Sequence, residues 1–184
     1  ARKMINAQGD MDIKEITTDE IWDHLNIQVF KYKEFTNIQP DIDAYLIKDY
    51  KVYPMSRDFG GWGLMQMCVC DIDNDLHDDL VYVYSFGSGL HRSVVEAYSF
   101  SSFCPSKILS NFAVMNADVY LKKLDNHRIE LYGKNDIHEN KPGIRLGELS
   151  TIHLYGHTTL GIIIDAKLPD KWRKNIWNTK QKFC

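Results

Sequence analysis

The most chemically pointed run in the sequence is Asp71-Ile72-Asp73-Asn74-Asp75-Leu76-His77-Asp78-Asp79-Leu80, which holds five aspartates. Alternate residues of a tight loop can turn their side-chain oxygens inward. The carboxylates of Asp71, Asp73, Asp75 and Asp79 stand at positions one, three, five and nine, and the backbone carbonyl of His77 stands at position seven. A hard divalent cation such as Ca²⁺ takes roughly six to eight oxygens in such a cage. Without a cation or solvent, carboxylates this close repel one another. The candidate metal ligands are therefore Asp71, Asp73, Asp75, His77 and Asp79, with Ca²⁺ as the ion. The same residues could also form a solvated acidic turn.

A second stretch, Ser85-Phe86-Gly87-Ser88-Gly89-Leu90-His91-Arg92-Ser93, gathers serines, glycines, a histidine and an arginine between two strand-like runs. Free backbone N–H groups and a guanidinium suit an anion or carboxylate, so Ser88, His91 and Arg92 are the candidate ligand-binding residues. Ser88 and His91 could instead act as nucleophile and base in a hydrolase. Ser88 lacks the Gly-x-Ser-x-Gly frame, and no strand-to-helix elbow follows it. A plain turn would use the same glycines for their positive φ.

Other constellations are weaker. His153 and His157 flank Gly156 in a strand context, where a spacing of four does not bring side chains together. His138 and Glu139 fall in a polar loop, Lys134–Pro142. Cys68, Cys70, Cys104 and Cys184 permit disulfides without requiring them. Cys68 and Cys70 share one strand face, badly placed to bond each other, and read as small buried hydrophobes.

These residues must be held by a scaffold, and its period is mostly two. One helix is expected near the start, capped by Thr17 with Glu20 three residues on, stapled by Ile16 and Ile21, and presenting Ile21, Trp22 and Leu25 on one face. Strands are expected at Ile27–Phe35, Ala44–Tyr53, Trp62–Cys70, Leu80–Phe86, Ser93–Phe100, Phe112–Leu124, Arg128–Tyr132, Glu148–Tyr155 and Leu160–Ala166. Trp62–Cys70 and Leu80–Phe86 are apolar on both faces and read as central. In Phe112–Leu124, Ala113, Met115, Ala117, Val119 and Leu121 should face one way, and Asp125-Asn126 should turn the chain into a hairpin. Short strands without crossover helices predict a mainly β fold. It is an antiparallel sandwich or strongly curved sheet with one short N-terminal helix packed on it.

The chain has 184 residues, 44% of them hydrophobic, and a formal net charge of -3. It reads as one domain, 1–184, with a flexible N-terminal segment at 1–15 and a basic, Trp-containing C-terminal segment at 167–184. The charge gives no general attraction to nucleic acid, and no run is apolar enough for a transmembrane segment. The start at Ala1 fits a processed chain or a trimmed one, and a removed signal peptide would leave no trace. The C-terminal segment sets Trp172, Ile176 and Trp177 at near-helical spacing among six basic residues and Asp170. That segment suits a protein or envelope partner, or tryptophans packed on the domain with solvated lysines.

The acidic run resembles the calcium loop of FG-GAP and VCBS-type repeats, through Asp-x-Asp-Asn-Asp-x-x-x-Asp-Leu followed by a strand. The resemblance implies side-chain ligation by Asp71, Asp73, Asp75 and Asp79, with the His77 carbonyl added. Its sixth position is usually glycine and here is Leu76, where a positive φ costs roughly 1–2 kcal/mol. With one copy of the loop, a propeller is not expected. The Tyr-Ser-x-Gly-Ser-Gly-x-His-Arg-Ser stretch resembles segments of uncharacterised secreted bacterial domains. The expectation is a non-catalytic domain, stabilised by calcium and placed outside the cell or in the cell envelope. The alternatives are a hydrolase built on Ser88 and His91, and an interaction module built on the C-terminal Trp/Lys segment.

Overall fold

The computed structural model describes residues 13–32, 42–56, 61–87, 91–135, 143–154 and 157–178. Among them, three antiparallel sheets are stacked. The first runs in order β1 (Ile13–Glu15), β2 (Gln28–Tyr32), β3 (Ala44–Lys48), β4 (Lys51–Pro54), with helix α1 (Asp19–Leu25) between β1 and β2. The middle sheet contains β5 (Gly63–Cys70), β6 (Asp79–Phe86), β7 (Arg92–Ser99), β8 (Ser106–Met115) and the late strand β13 (Ile176–Asn178), in order β13-β8-β7-β6-β5. The third contains β9 (Asp118–Lys123), β10 (Ile129–Lys134), β11 (Ile144–Leu154) and β12 (His157–Ile164), in order β12-β11-β10-β9. A one-turn helix, α2 (Asp170–Arg173), precedes β13.

The stack explains the apolar runs. Successive residues of a strand point to opposite faces, and the middle sheet is covered on both. On one face Val81, Val83, Val95 and Phe112 meet Val119, Leu131, Leu146 and Leu149 of the third sheet. On the other, Leu80, Tyr82, Tyr84 and Val94 meet Ile21 and Leu25 of α1 with Val29 and Leu46 of the first sheet. Strand β6 is therefore buried on both sides along nearly its whole length. The mainly β antiparallel sandwich is as expected, with one layer more than two.

Several local expectations are corrected. The helix is capped by Thr18, whose Oγ1 accepts from the Ile21 N–H at 3.3 Å, and not by Thr17. Thr17 Oγ1 instead accepts from the Val29 N–H and donates to Glu15. Ile21 and Leu25 are buried, but Trp22 is half exposed. Ala44–Tyr53 is not one strand. It turns back at Asp49 and Tyr50, both at positive φ, so that Lys48 pairs with Lys51. Phe112–Leu124 is also two strands, broken at Asn116 (φ 54°), and they belong to different sheets. Ala113 accordingly packs toward the first sheet, while Ala117, Val119 and Leu121 lie in the core between the middle and third sheets. Strand β5 is covered on both faces but lies at a sheet edge rather than centrally. Of the expected flexible segment 1–15, residues 1–12 lie outside the described residues, and Ile13–Glu15 is strand paired with β2.

The described part of the C-terminal segment, 167–178, joins the fold. Trp172 is 4% exposed and lies in the core, and Ile176–Asn178 is strand paired with β8, in place of the helical spacing. The Asp125-Asn126 hairpin forms as expected, joining β9 to β10. Among the described residues Cys68, Cys70 and Cys104 are free thiols, with Cys70 buried. No helix among them is long and apolar enough to cross a membrane.

Candidate metal centre

The acidic loop joins β5 to β6, and the pairing of Cys70 with Asp79 brings its two ends side by side. Asp71 leaves the first strand and Asp79 opens the second, 3% and 0% exposed respectively. Between them Ile72 is fully buried in the core and pins the loop inward. Asn74 and Leu76 take positive φ, 64° and 70°. The sixth position thus has the backbone that glycine would favour, and the Leu76 side chain is left 88% exposed.

Oxygens of Asp71, Asp73 and Asp79 all lie within 4.8 Å of one another. Asp71 accepts from the N–H groups of Asp75 (2.9 Å) and Leu76 (3.1 Å), which shapes the turn. Asp79 Oδ2 accepts from the Ile72 N–H at 3.1 Å. Asp73 Oδ1 and Asp79 Oδ1 are buried and have no hydrogen-bond partner among the described residues. Burial, then the charge of Asp73, push the Asp79 carboxyl up to about 7 from its ordinary 3.8, against the opposing pull of Ile72 N–H and Ser99. Burial and the neighbouring Asp75 and Asp71 charges likewise raise Asp73. Among the described residues no lysine or arginine pairs with these three carboxylates, and His127 Nδ1 lies 3.7 Å from Asp71 Oδ2. Such a set, holding two orphaned oxygens, fits a hard cation.

The other two expected ligands do not belong to this converging set of side chains. Asp75 Oδ1 accepts from the His77 N–H at 2.9 Å, closing a local turn. The His77 ring lies outside, with Nδ1 at 3.2 Å from the Asp75 carbonyl oxygen. Two histidines that spacing could not reveal touch the loop instead. His127 Nδ1 lies 2.8 Å from the Asp71 carbonyl oxygen, 56 positions away in sequence. His24, at the end of α1, holds Asp78 at 2.7 Å.

An open groove of about 570 Å³ borders the loop. Asp73, Asn74 and Asp75 line it together with Ile108, Thr151, His153, Thr158, Thr159 and Leu160. His153 and Thr158 are partners across the β11–β12 ladder, with Nδ1 and Oγ1 2.9 Å apart.

The second candidate region lies elsewhere. His91 Nε2 is 2.6 Å from Asp118 Oδ1, and the His91 carbonyl accepts from the Asn116 N–H at 2.7 Å. This ties the start of β7 to the break between β8 and β9. The Arg92 guanidinium stands 5.7 Å from the centre of the Phe86 ring. Ser88 lies outside the described residues, as do His138 and Glu139. Asp118 was missed because it reads simply as the polar side of an alternating strand.

Comparison of the chain with family models, with curated proteins and with solved structures finds no match in any of the three.

Proposed function

We propose that this is a non-catalytic β domain whose Asp71–Asp79 loop takes up calcium, with Asp71, Asp73 and Asp79 as side-chain ligands. One observation carries the reading: three carboxylates converge within 4.8 Å, and two of their oxygens are buried without a hydrogen bond. Bound calcium would supply the opposite charge that the protein withholds there and would brace the turn between β5 and β6. Asp75 and the carbonyl of His77 remain candidates to complete the coordination. Single sites of this type in extracellular modules bind with Kd of roughly 10⁻⁴–10⁻³ M. A site this weak fills where calcium is abundant, so the proposed location is outside the cell or in its envelope.

The test is a thermal melt in calcium and in chelator. Calcium at about 100 times Kd adds about 2.7 kcal/mol, which for a chain of this size raises the midpoint by about 5–10 °C. Asp73→Ala should abolish the shift. Equal midpoints in calcium and chelator would sink the proposal.

A second reading, a hydrolase using Ser88 and His91, is favoured by one contact, the 2.6 Å pairing of His91 with Asp118. A carboxylate behind a histidine is the arrangement that orients a general base. Labelling of Ser88 by a fluorophosphonate, lost on His91→Ala, would support it. An unlabelled serine in folded protein would dismiss it.

A further inference from the structure

Three carboxylates do not complete the coordination of a calcium ion. Each Asp71 oxygen already accepts one backbone N–H, from Asp75 and from Leu76, and one Asp79 oxygen accepts from Ile72, so these oxygens have one lone pair each left for an ion. Calcium takes roughly six to eight oxygens, so further ligands must come from backbone, water or a bound molecule. Asp73 belongs both to the converging carboxylates and to the lining of the neighbouring groove.

The lining of that groove selects among ligands. At about 570 Å³ it is of small-ligand size. Among the described residues its lining holds two carboxylates, Asp73 and Asp75, and no lysine or arginine. Even with calcium bound, its two charges do not cancel the carboxylates of Asp71, Asp73, Asp79 and Asp75, so an anionic ligand would meet a net like charge. The opposite wall offers the hydroxyls of Thr151, Thr158 and Thr159 and the ring of His153, which can both donate and accept. Ile108 and Leu160 add an apolar patch. A ligand matching all of this is neutral, carries many hydroxyls and has a C–H face.

We propose that the groove between the acidic loop and the β11–β12 hairpin binds a neutral saccharide in a calcium-dependent manner, with adjacent sugar hydroxyls completing the coordination of the ion. Thr158, Thr159 and His153 bond the flanking hydroxyls. The inference rests on the calcium reading of the loop.

The experiment pairs two measurements on the whole chain. Calorimetric titration with calcium chloride reports the ion alone. Retention on a panel of immobilised neutral mono- and oligosaccharides, in calcium and in chelator, reports the groove. The expected result is calcium binding in solution and retention of the protein on a subset of sugars. Chelator and Thr158→Val with His153→Ala should each weaken retention at least about tenfold, while the double variant still binds calcium. Thr158 and His153 are exposed, so the fold survives their replacement. Calcium binding without retention on any sugar would overturn the groove and leave the calcium reading standing. No calcium binding would overturn both. Retention unchanged in chelator or in the double variant would place the sugar elsewhere and overturn the proposal.

Discussion

The side-chain amide of Gln66 and the backbone of Leu121 exchange two hydrogen bonds: Nε2 donates to the Leu121 carbonyl at 2.8 Å, and the Leu121 N–H donates to Oε1 at 2.9 Å. Gln66 lies on edge strand β5 and Leu121 on edge strand β9. One amide thus acts as a single rung of ladder between two sheets that share no backbone pairing among the described residues. Gln66→Ala removes both bonds and leaves a partly buried N–H and carbonyl without partners. The expected cost is about 1–3 kcal/mol. Urea denaturation should show it as a lower midpoint at an unchanged slope.

Gly63 carries φ 62°, and a methyl group there would run into the Asp43 carboxylate. That carboxylate accepts from the Leu64 N–H at 2.8 Å and lies 3.6 Å from Lys31 Nζ. Gly63→Ala combines backbone strain with loss of the Leu64 bond, together about 2–5 kcal/mol. A loss below about 0.5 kcal/mol, read by the same denaturation, would mean the corner relaxes freely.

Asp79 predicts the direction of pH dependence. Its carboxyl is raised to about 7 in the fold, against an ordinary value of 3.8. Below 3.8 it is protonated whether the chain is folded or not, and its contribution is fully present. As pH climbs through about 7 the folded chain must hold a buried charge, and that contribution is lost. In chelator this group therefore destabilises the fold as pH rises from 5 to 8. Calcium favours the ionised carboxyl and must displace a proton at low pH. The gap between melting midpoints in calcium and in chelator should widen from pH 5 to pH 8. A gap that narrows over that range would contradict the raised Asp79 carboxyl.

Trp172 seats its ring against Gly133, where even a Cβ would collide with it. Trp172→Ala opens a cavity in the core and is expected to cost about 3–5 kcal/mol. Ending the chain after Pro169 should lower thermal stability rather than merely remove a binding tail. A truncated chain that melts like the full one would return the segment to the role of an appendage.

The site was legible where chemistry is local. Aspartate spacing located the loop, and the expected positive φ at its sixth position is what Leu76 adopts. Strand β6 was legible because burial on both sides removes polar residues from both faces. Hidden features were those in which the usual signal was missing. Asp49-Tyr50 is a tight reversal without glycine, so it passed as continuous strand. At Asn116 the alternation of apolar residues runs on unbroken while the chain changes sheets, because both segments bury one face. The contacts of His127 with Asp71 and of Gln66 with Leu121 join positions 56 and 55 apart, which no local pattern records.

The position of β13 also governs how the molecule can be made. It pairs with β8 through Ile176–Val114, Trp177–Ala113 and Asn178–Phe112, although the four strands of the third sheet, β9 to β12, separate the two in the chain. Ribosomes extend a chain by about 5–20 residues each second. For several seconds of translation the outer row of amides on β8 therefore has no strand to receive it. In that interval the row is an open strand edge, a surface of the kind on which another extended chain can pair.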